Sequence, residues 1–242
     1  MKVALLGYGK MGKMIEQILL ERDQQVVAVI DNESDWQTKF ADFQKAEVAI
    51  DFSMPTVAVS NMIRCFENHI PVVVGTTGWL DRLDEVRTLC EQHQGSLVYG
   101  SNFSVGANLF MQLNKLLADM MNEQTQYEAL VEETHHTAKK DAPSGTAITL
   151  AKGLLERVGR YQEWQLTQES TQAPVLPVKA YRIGEVPGIH KISWKSEEDD
   201  IEIVHSAHSR KGFAAGAVRA ALWLPTHPGI FEFQNIALQL TK

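Results

Sequence analysis

The chain has 242 residues, 44% of them hydrophobic and 22% charged, which suits one large domain or two small ones with ample material for a core. Thirty acidic residues against twenty-three basic ones leave a formal charge of −7, so nothing argues for nucleic acid as a partner, and any anion site must gather its cations locally. Two cysteines make no disulfide framework, and the apolar run at 3–6 is too brief for a signal peptide or a membrane span. The expectation is a cytoplasmic protein with free thiols and no membrane partner.

Residues 2–6 form a short apolar run of the kind found in a parallel strand buried on both faces. The run stops at Gly7-Tyr8-Gly9-Lys10-Met11-Gly12. A helical face of Met14, Ile15, Ile18 and Leu19 follows, then a second strand over 26–30 that ends in Asp31. Glycines at this spacing permit a tight turn and close approach to a pyrophosphate. The helix start faces the phosphates, and Asp31, nineteen positions after Gly12, takes ribose hydroxyls. This order predicts a dinucleotide site built on Gly7, Tyr8, Gly9, Lys10, Met11, Gly12 and Asp31.

After a short connection the pattern repeats, with a strand over 47–53, a helix over 56–68 and a strand over 69–74 that runs into Gly75-Thr76-Thr77-Gly78. A helix over 81–92 leads to a strand at 96–99 and then Gly100-Ser101-Asn102-Phe103. Small polar residues at successive strand ends predict a shared ligand edge, since open α/β sheets bind at the carboxyl ends of their strands.

Beyond Phe103 the pattern changes, which marks a domain boundary. Residues 105–121 read as a long helix, with Phe110, Met111 and Met120 as packing residues. Strand-like residues 125–131 precede the segment Glu132-Glu133-Thr134-His135-His136-Thr137-Ala138-Lys139-Lys140-Asp141-Ala142-Pro143-Ser144-Gly145-Thr146-Ala147, and helical spacing resumes over 147–155. Asp141, Pro143 and Ser144 are helix-start signals, so the helix begins near Ser144. A helix start carries roughly half a unit of positive charge, and Gly145 lets a ligand approach the backbone, so a carboxylate or phosphate would sit well on Ser144, Gly145 and Thr146. Lys139 and the two histidines would face that anion. An ordinary capped helix behind a solvated lysine pair accounts equally well for these residues taken alone. Adjacent histidines with neither cysteine near them in sequence argue against zinc, and no metal is expected.

Residues 161–177 are polar and aperiodic and read as an exposed loop. Strand-like runs at 178–183, 188–194 and 200–206 lack intervening helices, which predicts a mixed or antiparallel sheet with His190, His205 and His208 at its surface or edge. An Ala-rich helix over 211–224 and a last strand over 229–234 are too few to build a third core, so they are expected to dock back onto the first domain. The fold class expected is α/β, a Rossmann-type doubly wound parallel sheet with a second, α+β domain. The domains are expected at 1–103 with 212–242, and at 104–211.

Taken together, Gly75 to Gly78 (G-T-T-G), Asn102 to Gly106 (N-F-S-V-G), His135 to Ala147 (H-H-T-A-K-K-D-A-P-S-G-T-A) and the late H-S-R with F-A-A-G-A-V-R-A-A-L-W-L resemble the 4-hydroxy-tetrahydrodipicolinate (dihydrodipicolinate) reductase family over nearly the whole chain. The resemblance implies a nucleotide domain completed by the C-terminal segment, a substrate domain whose sheets pack in a homotetramer, and reduction of a cyclic imine dicarboxylate with NADH or NADPH in lysine and diaminopimelate biosynthesis. It implies His135 and Lys139 as the proton-transferring pair and His136 as a substrate ligand. Ser144, Gly145 and Thr146 would be the carboxylate cradle, Thr77 would meet both nicotinamide and substrate as the domains close, and Gly75, Thr76, Thr77, Gly100, Ser101, Asn102 and Phe103 would join the cofactor site. Asn32 stands where members using NADPH often have Arg, and Lys10 could still pair with a 2′-phosphate, so dual use with a lean to NADH is expected. The glycine loop is one residue shorter than in many members, the stretch between Asp31 and Val48 is shorter than usual, Thr137 and Ala138 replace residues that are often basic, and Met54 follows Ser53. Two other readings stay open on the residues: another two-domain amino-acid dehydrogenase, and a non-catalytic dinucleotide sensor.

Overall fold

The computed structural model describes residues 1–169 and 172–241. In chain order the elements are β1 (Lys2–Leu6), α1 (Lys10–Leu20), β2 (Gln25–Ile30), α2 (Glu33–Phe43), β3 (Val48–Asp51), α3 (Pro55–Glu67), β4 (Val72–Val74), α4 (Leu83–Gln92) and β5 (Leu97–Tyr99). They continue with α5 (Val105–Met121), β6 (Glu128–His135), α6 (Gly145–Leu155), β7 (Glu163–Leu166), β8 (Val175–Arg182), β9 (Gly188–Lys195), β10 (Asp200–Ala207), α7 (Lys211–Trp223), β11 (Ile230–Glu232) and α8 (Phe233–Ile236). The chain divides into two compact units, Met1–Val105 with Lys211–Lys242, and Gly106–Arg210.

The first unit is a six-stranded parallel sheet in the order β11-β5-β4-β3-β1-β2. Its strands are continuous apolar runs because both faces are covered, and a period of two deals alternate residues to opposite cores. Val3 and Leu5 pack with Ile15, Ile18 and the α7 alanines, while Ala4 and Leu6 pack with Trp36, Phe43, Met62 and Phe66. Strand order reverses between β1 and β3, and such a switch point opens a crevice at the strands' carboxyl ends. The last strand pairs with β5, with Phe231 opposite Val98. α7 approaches the backbone closely enough that a Cβ on Gly216 would lie 1.7 Å from the Phe103 carbonyl oxygen, which explains its run of small residues.

The second unit is a mixed sheet in the order β10-β9-β6-β8-β7, antiparallel across β10, β9 and β6 and parallel across β6, β8 and β7. Its core joins Phe110, Ala118 and Met121 of α5 and Leu150, Ala151 and Leu154 of α6 to Ala129, Val131, Val178, Ile192 and Trp194. Among the described residues no helix is long and apolar enough to cross a membrane.

Several expectations change. The connection between β2 and β3 is a helix, α2, started by Asn32, whose side chain accepts from the Asp35 N–H. Its weak amphipathic pattern concealed it. β6 runs on to His135, so that histidine stands on a strand rather than in a loop. The 161–177 stretch is largely exposed, as expected, but it is not all loop: Tyr161 is buried, its hydroxyl accepting from the Ala129 N–H, and β7 and the start of β8 lie within it, while Ser170 and Thr171 fall outside the described residues. Met120 is 66% exposed rather than packed. His190 is buried, because β9 is flanked by strands on both sides and His190 shares its inward row with Ile192 and Trp194.

Candidate active site

The glycine turn sits at the switch point. Gly7 has φ +90°, a conformation natural to glycine, and a Cβ there would lie 2.4 Å from the Phe52 carbonyl oxygen at the end of β3. Gly12 packs against the Gly7 carbonyl, where a Cβ would also come to 2.4 Å. Gly9 has nothing within 4 Å of such a position, so the start of α1 is open to a ligand. One oxygen of Asp31 accepts from the Tyr8 N–H at 2.7 Å, tying the acid to the loop.

Two clefts flank this turn. One, of about 260 Å³, is lined by Gly7, Asp31, Asn32, Trp36, Ser53 and Arg64 among others. The second, of about 320 Å³, is lined by Gly9, Lys10, Met11, Gly75, Thr76 and Thr77 among others. An acid in one cleft and a helix start with a lysine in the other fit the ribose and phosphates of a dinucleotide. Gly100, Ser101, Asn102 and Phe103 line neither cleft. Phe103 is buried against Phe52 and Phe233, so its ring serves the core, and the Asn102 side chain accepts from the Ser104 N–H within the loop.

Asp51, which the sequence reading passed over, organises the two clefts from below. Its side chain is wholly buried and accepts from Thr76 Oγ1 at 2.5 Å, Ser53 Oγ at 2.8 Å, the Ser53 N–H at 3.1 Å and Asn61 Nδ2 at 2.8 Å. Burial raises its pKa against the pull of these donors. The network fastens the turn after β3 to the Gly75-Thr76-Thr77 turn after β4.

In the second unit, the period of two along β6 puts Glu133 and His135 on the same inward row as Ala129 and Val131. Across the ladders, Glu133 lies opposite His190 of β9, and His135 opposite Arg182 of β8. Both Glu133 oxygens accept the Ser144 N–H at 3.1 Å, Oε1 also accepts from Arg182 Nη2 at 3.1 Å, and His135 Nδ1 and His190 Nε2 stand 3.4 and 3.8 Å from Oε2. Burial lowers the His135 pKa, opposed by the Glu133 charge and aided by Lys139, Arg182 and His136. Burial also takes His190 down to about 4, so both imidazoles are neutral near pH 7. Glu133, His135 and His190 could meet on one metal ion. The Glu133 oxygens, however, already serve Ser144 and the Arg182 cation, so the chemistry of this set is that of a hydrogen-bonded ion pair.

Ser144 is the residue before α6. It is buried, its Oγ accepts from the Ala147 N–H and lies 3.2 Å from His190 Nε2, and its own N–H belongs to Glu133. The polar atoms of Ser144 therefore face inward and set the helix start. Gly145 is exposed and Thr146 half-buried, and their N–H groups have no partner among the described residues. Lys139 is ion-paired with Asp141 at 2.8 Å, its carbonyl accepting from Arg182 Nε at 3.3 Å; His136 is half-buried. Thr77 is exposed.

Sequence comparison matches residues 1–103 to the family described as dihydrodipicolinate reductase, N-terminus, and residues 106–237 to its C-terminus. The chain is 44% identical to the 4-hydroxy-tetrahydrodipicolinate reductase of Christiangramia forsetii, over all of both chains. It is 33% identical to that of Pseudoalteromonas atlantica, over 81% of this chain and 75% of the other. A dipicolinate-bound dihydrodipicolinate reductase from Paenisporosarcina sp. TG-14 shares the fold with a TM-score of 0.78 at 22% identity, over 97% of this chain and 98% of the other. The chain belongs to the dihydrodipicolinate reductase family and is an oxidoreductase with that family's reaction, the reduction of 4-hydroxy-tetrahydrodipicolinate in diaminopimelate and lysine biosynthesis.

Proposed function

We propose that the first unit binds the dinucleotide and the second binds the substrate and supplies the proton. The observation that carries this reading is the start of α6: Glu133 and Ser144 fix it, leaving the N–H groups of Gly145 and Thr146 to a carboxylate, with Lys139 and His136 on the segment that leads into it. A bound reduced nicotinamide supplies hydride. The chain's residues then orient the ring dicarboxylate and protonate what hydride addition leaves behind. With His135 held neutral by burial, the Lys139 ammonium is the donor, and His135 is the neighbour that keeps the site from accumulating positive charge. Ser144 belongs to the cradle as its anchor, and Gly145 and Thr146 as its ligand-facing groups. The glycine turn, Asp31, Gly75, Thr76 and Thr77 hold the cofactor, with the Gly100 to Phe103 turn as their support.

Both NADH and NADPH serve, with NADH favoured. Asp31 suits free ribose hydroxyls, Asn32 carries no charge, and Lys10 lines the other cleft. The enzyme works in the cytoplasm, where its two buried thiols stay reduced. It assembles as a homotetramer through the second unit, whose α5 exposes Leu109, Leu113, Leu116 and Met120 along one stripe and whose β10 exposes Ile201 and Val204.

The test is oxidation of NADH and NADPH in the presence of the freshly made condensation product of pyruvate and aspartate semialdehyde. Wild type turns over with both; His135→Ala and Lys139→Ala lose roughly 10²- to 10⁴-fold in kcat. Absence of turnover with either cofactor refutes the reading. Full kcat in Lys139→Ala refutes the assignment of the proton.

A further inference from the structure

The cleft that holds Asp31 also holds an arginine that the glycine motif does not predict. Arg64, from α3, donates from Nη2 to Glu33 Oε1 at 2.8 Å, and its guanidinium lies 4.6 Å from the centroid of the Trp36 ring. Glu33 opens α2, two positions after Asp31, and all four residues line the same cleft. Arg64 is the cation lining this cleft. Lys39, also on α2, is engaged by Asp35 at 2.7 Å and the Val29 carbonyl at 2.9 Å, and Lys10 lines the other cleft.

NADH and NADPH differ at the adenosine ribose, where one carries a 2′-hydroxyl and the other a 2′-phosphate. Asp31 attracts the hydroxyl and repels the phosphate. A guanidinium is the side chain best shaped to take a phosphate by two parallel N–H bonds, but here its fork is turned toward a carboxylate of the protein. Glu33 thus acts twice against NADPH, by occupying Arg64 and by adding negative charge beside Asp31. The pair is 32% and 68% exposed at its two side chains, so exchanging partners costs little. The Trp36 ring keeps the guanidinium at the cleft while it exchanges, because the cation remains stacked whichever anion it faces.

We infer that the Glu33–Arg64 pair sets the cofactor preference: closed, it favours the 2′-hydroxyl of NADH, and opened it turns Arg64 to the 2′-phosphate of NADPH. The inference rests on the nucleotide placement proposed above, and the experiment separates the two. Steady-state kcat/KM is measured with NADH and NADPH for wild type, Glu33→Gln, Arg64→Ala and the double variant, and binding of 2′-phospho-ADP-ribose and ADP-ribose is measured on the same proteins by calorimetry. Glu33→Gln raises the NADPH-to-NADH ratio of kcat/KM roughly tenfold, the size of a gained charge-assisted contact, and tightens 2′-phospho-ADP-ribose binding relative to ADP-ribose in the same proportion. Arg64→Ala lowers that ratio below wild type, and adding it to Glu33→Gln abolishes the gain. An unchanged ratio in Glu33→Gln overturns the inference, as does a gain that survives removal of Arg64 or an Arg64→Ala loss equal for both cofactors. A wild type that prefers NADPH refutes the proposed lean to NADH alone, while the variant ratios still decide the role of the pair.

Discussion

Glu133→Gln tests the second unit at its centre. The native carboxylate is wholly buried, accepts the Ser144 N–H into both oxygens and faces Arg182 at 3.1 Å. The amide keeps the shape and one acceptor, but it presents an NH₂ to groups that are themselves donors and leaves Arg182 without its counter-ion. Removing one partner of a buried ion pair costs about 3–5 kcal/mol. Arg182 is 21% exposed and also donates to the carbonyls of Tyr181, Lys139 and Asp141, so solvent and backbone recover part of the loss and we expect about 2–3 kcal/mol. The chemistry changes in a second way. The Glu133 charge is the influence that raises the His135 pKa against burial, so without it the imidazole titrates lower still. Thermal unfolding and kcat/KM from about pH 5 to 9 are the assays, the range that brackets an ordinary histidine. The variant unfolds at lower temperature, loses kcat, and shows any histidine-dependent acid limb displaced to lower pH. A variant with wild-type stability and a kcat/KM profile superimposable on wild type would refute the claim that Glu133 holds the α6 start and tunes His135.

Thr76→Val removes the hydroxyl that donates to Asp51 and accepts the Ser53 N–H at 2.8 Å; with a buried carboxylate and a backbone donor each losing a partner, we expect about 1–3 kcal/mol of lost stability and weaker NADH binding by fluorescence titration. Unchanged NADH affinity would mean the network does not support the cofactor turns. His190 has a folded pKa of about 4 against the ordinary 6.5, so its contribution is fully present above pH 6.5 and is lost as pH falls toward 4, by roughly 3 kcal/mol at most. His190→Gln, which cannot titrate, therefore loses less stability than wild type between pH 7 and about 4.5 in urea unfolding, and parallel losses would contradict the burial argument. Gly216→Ala drives a Cβ to within 1.7 Å of the Phe103 carbonyl unless α7 shifts, so a loss of about 3 kcal/mol or more is expected in the same assay, and a loss under 1 kcal/mol would show that the helix yields easily.

Local signals in the sequence determined much of this protein. The 2–6 run, Gly7-x-Gly9-x-x-Gly12 and Asp31 specify strand, turn, helix and acid because each depends on contacts between near neighbours: Gly7 needs its positive φ, and the apolar run needs two covered faces. Ser144 reads as a helix start for the same reason, and its side chain does accept the Ala147 N–H. The His135 to Thr146 block carried the family. Hidden from a linear reading were the residues whose partners arrive from other strands. Asp51 looks like the end of an apolar strand until Thr76 and Asn61 come to it, and Glu133 looks like an exposed acid until the alternation of β6 turns it inward toward Arg182, forty-nine positions away. His190 passed for an edge residue because nothing in its neighbourhood says that β9 is an interior strand. Arg64 met Glu33 and Trp36 only once α3 lay beside α2. The sequence by itself determined which chemistry the chain carries, since motif residues act through backbone geometry a few positions long. Only tertiary structure decided which buried charges hold that chemistry in place, because a charge can be buried only beside a partner, and those partners are distant in the chain.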